Sequence, residues 1–350
     1  MQKNRDLSFD AFRGLAIIAV VAIHAITTGF SCRYRPTGQW DFILLVSCRQ
    51  LLNFAVPAFL FISGYWTSKK PIRSFHDYKI FLKRRLPRVL VPYLFWSLIF
   101  IAGGVIKTHH IDVSQTIFKL LTGRVPIHYF FIILIAQLYV ITPLLQYINR
   151  RPCGWMLVLI LNTVGLLVLY LSRLYNIIWH LPAALPFYSW IIFYEIGLLM
   201  GNRNNKIFTS KNVRLFIVPA MLAFLLISEL EAMIVLLKYN NLGFAISATK
   251  YSSFLYSLSV IFAFLLVRKT IKHWPKFLIA LGNYSFGIYL IHMFILARIA
   301  GVVQKTNIIY SFQPLYQFIV VLVTVLISFA LISITRKLLP KSFCSKVLGF

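Results

Sequence analysis

Apolar stretches of membrane-spanning length recur along the chain with short polar segments between them, and they predict a series of helices. Ten stand out, at residues 10–31, 42–66, 89–107, 127–148, 154–171, 183–201, 215–237, 252–267, 277–299 and 315–335. A bilayer core takes about 20 apolar residues of helix, so the fifth, sixth and eighth are short for a crossing. No hydrophilic stretch is long enough for a separate soluble domain, and no internal repeat is visible. The expected fold is all-α, a polytopic membrane bundle of about ten helices, with residues 1–350 forming a single domain.

Composition supports the bilayer as the solvent. The chain is 59% hydrophobic and 13% charged, with a mean hydropathy of +0.79, against about 45–50% and about 25% in soluble domains. The net charge of +28 would suggest nucleic acid in a soluble protein. Here the basic residues gather in short clusters between apolar runs, the pattern of loops that face anionic lipid on the cytoplasmic side. With both termini placed inside, 25 of the 36 lysines and arginines fall on the inner side. The chain is therefore expected as a multi-pass membrane protein with cytoplasmic termini and no nucleic-acid partner. Met1 to Phe9 resembles the n-region of a signal peptide. The apolar run behind it carries Arg13 and His24, and no small-residue cleavage site follows, so an uncleaved first span is expected. The four cysteines (Cys32, Cys48, Cys153, Cys344) lack metal-ligand spacing. Cys32 and Cys48 could share the outer surface, which leaves a disulfide open. No metal site is expected at His109-His110.

The candidate chemistry starts in the first span, DAFRGLAIIAVVAIH, residues 10–24. An ionisable residue within a span is costly and marks a functional site by default. Arg13 and His24 are eleven residues apart, so on a helix they fall within roughly 20° of one another and about 16 Å apart along the axis. Arg49 in the second span is expected at a similar depth to His24. Glu195 sits in the sixth span, His128 opens the fourth, and His292 lies in the ninth within NYSFGIYLIH. Each has a structural alternative: His128 as an interfacial residue, Arg49 and Glu195 as a pair joining two helices. Glu229 and Glu231 read as solvated or paired with Lys238. The longest basic segment, KKPIRSFHDYKIFLKRRLPRVLVPY, holds Lys83, Arg84, Arg85 and Arg88 close together near Pro87 and Pro92. It reads as a topogenic anchor and as a site for a polyanion, since arginine forks suit phosphates.

These motifs resemble the acyltransferase 3 family. The Arg-x10-His of the first span, PAFLFISGYW at the end of the second, RRLPR in the following loop and NYSFGIYLIH in a late span occur in the family's order over nearly the whole chain. Two features depart from it. His128-Tyr129-Phe130-Phe131 stands where short relatives often have a His-Leu-Trp-Phe-Leu-like segment, and no SGNH-type esterase domain follows the last span, as in the short enterobacterial-common-antigen acetyltransferase type.

The resemblance implies O-acylation of a surface carbohydrate or lipid-linked sugar from cytoplasmic acyl-CoA, with acetyl-CoA as the expected donor and no permanently bound cofactor. Acyl transfer to a hydroxyl needs a base of near-neutral pKa, for which histidine is the usual choice. His24 is then the base or a transient acyl carrier. Arg13, oriented by Asp10, holds a donor phosphate or carbonyl, and Arg49 faces the anionic intermediate. Lys83, Arg84, Arg85 and Arg88 take the nucleotide phosphates, and Glu195, His128, Tyr289 and His292 the acceptor. A transporter or flippase would also need intramembrane charges, but no inverted repeat or pair of broken helices is visible. A membrane scaffold would have no reason to bury Arg13, His24, Arg49 and Glu195.

Overall fold

With no water in hydrocarbon to satisfy peptide groups, an apolar chain closes its backbone hydrogen bonds internally, as helix. The computed structural model describes residues 6–31, 40–175, 187–202, 211–268, 270–306 and 312–350, and these contain no strand. Cys32, and with it the Cys32–Cys48 pairing, lies outside the described residues, as do Lys3, Arg5, Arg33, Arg35, Arg203, Lys206 and Lys269.

In chain order the helices are α1 (Leu7–Ser31), α2 (Trp40–Leu51), α3 (Ala55–Ser68), α4 (Phe75–Thr108), α5 (Val113–Thr122), α6 (Phe130–Ile148), α7 (Gly154–Tyr175) and α8 (Ile191–Asn202). Then come α9 (Lys211–Tyr239), α10 (Leu242–Ala245), α11 (Tyr251–Val267), α12 (Lys276–Asn283), α13 (Ser285–Val303) and α14 (Gln313–Leu338). Among the described residues eight segments are long and apolar enough to cross a membrane, α2 and α3 counting as one, and Ile191–Gly201 and Tyr251–Val267 are shorter apolar helices. The polytopic helical reading holds. The fifth span, expected to be short, is 22 residues long as α7.

The described residues pack as two compact units. One is Met1–Phe59, Arg173–Tyr175 and Asn204–Ser333; the other is Leu60–Ser172, Asn176–Arg203 and Ile334–Phe350. In the first unit α1 crosses α12 at backbone contact. A Cβ on Gly14 would lie 2.1 Å from the Leu278 carbonyl oxygen, and one on Gly282 would lie 1.8 Å from that of Asp10. Only glycine permits that approach. Phe12 stacks on Phe264 with ring centroids 4.1 Å apart, and Arg268 lies over Phe9 while its Nη1 pairs with Asp6 at 3.4 Å.

Three expectations change. The second span is interrupted at Leu52–Phe54, between α2 and α3, and the ninth at Tyr284, between α12 and α13. The segment of Lys83, Arg84, Arg85 and Arg88 is a continuous helix, not a loop: α4 starts at a capping box in which Ser74 Oγ accepts from the Asp77 N–H and Asp77 accepts from the Ser74 N–H, and it runs through Pro87 and Pro92. Finally, Lys250, which the span limits leave among the outer loops and span ends between residues 237 and 252, is buried. After α9 the chain turns at Asn240 (φ 45°), Asn241 caps α10, and the segment doubles back until Lys250 Nζ meets the Ser228 carbonyl at 3.0 Å. Ser228 is eleven residues, about 16 Å, down α9 from Tyr239. This re-entrant segment explains why α11 is only 17 residues long. Irregular backbone at such depth is tolerated where protein covers it, and Phe244, Ala245, Ser247, Thr249 and Lys250 are buried.

Candidate active site

Helix α1 is unbroken from Leu7 to Ser31, so Arg13 and His24 do share a face. Asp10, one turn before Arg13, is buried and accepts from Arg13 Nη1 at 3.2 Å. The Gly282 contact on the Asp10 carbonyl fixes the start of this pair against α12.

At the other end of the same face, the His24 ring lies 5.3 Å from that of His292, centroid to centroid, at 42°. His292 is fully buried, and its Nδ1 lies 2.8 Å from the Tyr289 carbonyl and 3.2 Å from that of Ile288. A carbonyl only accepts, so Nδ1 carries the proton, and a neutral ring offers Nε2 as the acceptor. Tyr289 is buried with its ring 6.0 Å from that of His292. His292 sits mid-helix in α13, because the break at Tyr284 moves the start of that helix to Ser285.

Arg49 belongs to the same unit and lies within electrostatic reach of His24. Its Nη1 donates to Asn53 Oδ1 at 2.6 Å, one turn on, at the break between α2 and α3. Its Nε is buried with no hydrogen-bond partner among the described residues. A guanidinium held by one edge, with a further donor free, is suited to an oxygen that becomes anionic.

The second unit holds the remaining candidates. Arg85 stacks its guanidinium 5.7 Å from the Tyr139 ring and 6.0 Å from that of Phe81. Stacking on aromatic faces leaves the N–H edges of the fork free for an anion. On one helix at 100° per residue, Arg84, Arg85 and Arg88 span roughly 100°, while Lys83 lies roughly 160° around from Arg85. Lys83 and Arg85 are therefore the two furthest apart around the helix, with Arg84 and Arg88 between them. His128 is buried, its ring 4.4 Å from that of Tyr129 in a short turn ahead of α6. Glu195 is fully buried in α8 beside Asn149. A Cβ on Gly64 would lie 2.0 Å from the Tyr194 carbonyl oxygen, and one on Gly197 would lie 2.2 Å from that of Phe61, so α3 and α8 touch backbone to backbone around Glu195.

Sequence reasoning missed the polar group of Gln50, Asn53, Ser228, Lys250 and Ser253, all buried in the first unit. Glu231 accepts from the Ser252 hydroxyl, and both Glu229 and Glu231 lie within electrostatic reach of Lys250, in place of the expected Lys238. The available signal was the two amides inside an apolar span, and the run of hydroxyl residues from Ser247 to Ser259 next to a short one.

Among the described residues no group of three histidine, cysteine or acidic side chains could hold a metal ion. The model of the acyltransferase domain Acyl_transf_3 matches residues 6–333. The protein YfiQ of Bacillus subtilis (strain 168), named as a membrane-bound acyltransferase, is 26% identical over 313 residues, 84% of this chain and 82% of its own. No solved structure matches. The match takes in the Arg-x10-His face of α1, the His292 helix and the basic start of α4, and the chain belongs to the acyltransferase 3 family of membrane acyltransferases.

Proposed function

We propose that the protein moves an acyl group, acetyl in the first instance, from cytoplasmic acyl-CoA to a hydroxyl of a surface carbohydrate or lipid-linked sugar in a bacterial inner membrane. The observation that carries this reading is the first unit's facing pair of imidazoles, His24 and His292, on the helix face that starts with the Asp10–Arg13 pair. Family membership favours transfer over the transporter or flippase alternative.

In the proposed reaction His24 takes the proton of the acceptor hydroxyl as its oxygen attacks the thioester carbonyl. The C–O bond forms, and the carbonyl electron pair moves onto oxygen, where Arg49 donates to it. The tetrahedral intermediate then collapses, the C–S bond breaks, and CoA leaves as thiolate to take the proton back from His24. In the two-step route His24 itself attacks the thioester and passes the acyl group on. His292 Nε2 and Tyr289 are assigned to the acceptor, as are His128 and Glu195. Arg13, oriented by Asp10, is assigned to the donor's phosphate or carbonyl, and Arg84, Arg85 and Arg88 to its nucleotide phosphates.

Incubation of the purified protein with acetyl-CoA is expected to release free thiol over repeated turnovers only when a sugar acceptor is present, the two-step route giving at most one equivalent without it. Mass spectrometry of surface glycans and lipid-linked sugars, with and without the protein, is expected to show a 42-Da difference per acetyl group, and no difference in mass would overturn the reading. Arg85→Ala is expected to raise the donor KM by about tenfold or more, as for loss of a hydrogen bond to a charged group worth about 1.5–3 kcal/mol. Lys83→Ala, on the far side of α4, is expected to leave it unchanged.

A further inference from the structure

Lys250 has no part in the chemistry just described, yet it is fully buried. Its Nζ donates to Gln50 Oε1 and to the Ser228 carbonyl, each at 3.0 Å. An ammonium carries three donors and no acceptor, so whatever faces Lys250 must turn an oxygen toward it. That constraint passes along a chain of amides. With Oε1 on Lys250, Gln50 sends Nε2 the other way, to the carbonyls of Ala245 at 3.1 Å and Val46 at 3.3 Å. The same Oε1 accepts from the Ser228 hydroxyl at 3.0 Å and from Asn53 Nδ2 at 3.2 Å. Asn53 must therefore aim its amino group at Gln50 and at Ser253 Oγ, 3.1 Å away. Its remaining polar atom, Oδ1, is left to accept from Arg49 Nη1 at 2.6 Å. If the Gln50 amide were reversed, its Nε2 would face the donors of Lys250 and Asn53. If Asn53 followed, its Nδ2 would face the donor of Arg49.

We propose that Lys250 is a positioning residue, which sets the polarity of the Gln50–Asn53 amide relay and through it holds the Arg49 guanidinium in place. The place of the relay in the fold supports this. Arg49 stands one turn before the break between α2 and α3, where turn bonds replace the helix ladder (Leu52 N–H to the Arg49 carbonyl at 3.3 Å, Asn53 N–H to that of Gln50 at 3.2 Å). The re-entrant segment adds a side-chain anchor from across the unit. The proposal rests on the assignment of Arg49 as donor to the tetrahedral intermediate.

The test compares purified wild type with Lys250→Met, which keeps the stem and removes the cation, and Lys250→Arg, which keeps a donor-only cation. Folded protein is matched by thermal melting in detergent. Lys250→Met is expected to lower kcat by about tenfold to hundredfold, the scale of a small misplacement at a reacting centre, with the acetyl-CoA KM within about twofold. Lys250→Arg is expected to recover most of that loss. Because the relay acts only through Arg49, adding Lys250→Met to Arg49→Ala should lower kcat no further, a coupling that a merely structural role would not produce. Wild-type turnover in Lys250→Met, or a loss that multiplies with that of Arg49→Ala, overturns the proposal. Wild-type turnover in Arg49→Ala overturns the assignment of Arg49 itself, whatever Lys250 does.

Discussion

Replacement of His24 by alanine is expected to lower kcat for acyl transfer by about 10²–10⁴-fold, the usual share of a positioned general acid–base, or about 3–5 kcal/mol of barrier. In the proposed reaction the acceptor hydroxyl ionises far above neutral pH, so a group must take its proton as the C–O bond forms. In the first unit the imidazoles that face one another are His24 and His292, and the Nδ1 of His292 is already committed to the Tyr289 carbonyl. His24 also stands on the helix that carries the Asp10–Arg13 pair, in electrostatic reach of Arg49. The measurement is radiolabelled acetyl transfer in membranes holding equal amounts of folded wild type and variant. Near wild-type turnover by folded His24→Ala would remove the mechanism. The two-step route adds a signature, since only there should wild type take up label from acetyl-CoA covalently without acceptor, and His24→Ala should take up none.

The second large effect is on the fold beneath that site. Gly282→Val is expected to destabilise the protein by about 3 kcal/mol or more, at or above the upper end of ordinary overpacking. The added Cβ would meet the Asp10 carbonyl oxygen at 1.8 Å, and backbone on the inner side of a helix crossing cannot swing aside as a side chain can. The two helices would have to separate, moving the start of α1 and the Asp10–Arg13 pair with it. A fall in melting temperature should therefore accompany a loss of turnover. Gly103→Ala is the matched control. Nothing lies within 4 Å of a Cβ placed there, and alanine is better suited to a helix by about 0.5–1 kcal/mol, so its stability should equal or exceed that of wild type. Equal melting of Gly282→Val and wild type would show that the crossing is not as tight as the geometry implies.

Much of this protein follows from the sequence by itself. Spanning length and apolar composition determine the helices, because in hydrocarbon there is no other way to satisfy a backbone. The period of 3.6 residues determines that Arg13 and His24 share a face of α1, and a continuous helix keeps them there. The same periodicity separates Lys83 from Arg85, once α4 is known to begin at Phe75. That was not legible, because the apolar run begins only at residue 89 and the helix extends fourteen residues before it, through Pro87.

What lies beyond local sequence was decided by tertiary structure. His24 meets His292, 268 positions away in the chain, because α1 packs against both α12 and α13, with Gly14 and Gly282 at the α1–α12 contact. Lys250 lies buried against Gln50 and Ser228, 200 and 22 positions away in the chain, because the segment after Asn240 folds back along α9. Hydropathy records how much of a segment is apolar, but not which buried donor will find which acceptor. That is settled when the helices pack, since a buried polar group must meet its partner wherever the chain brings one.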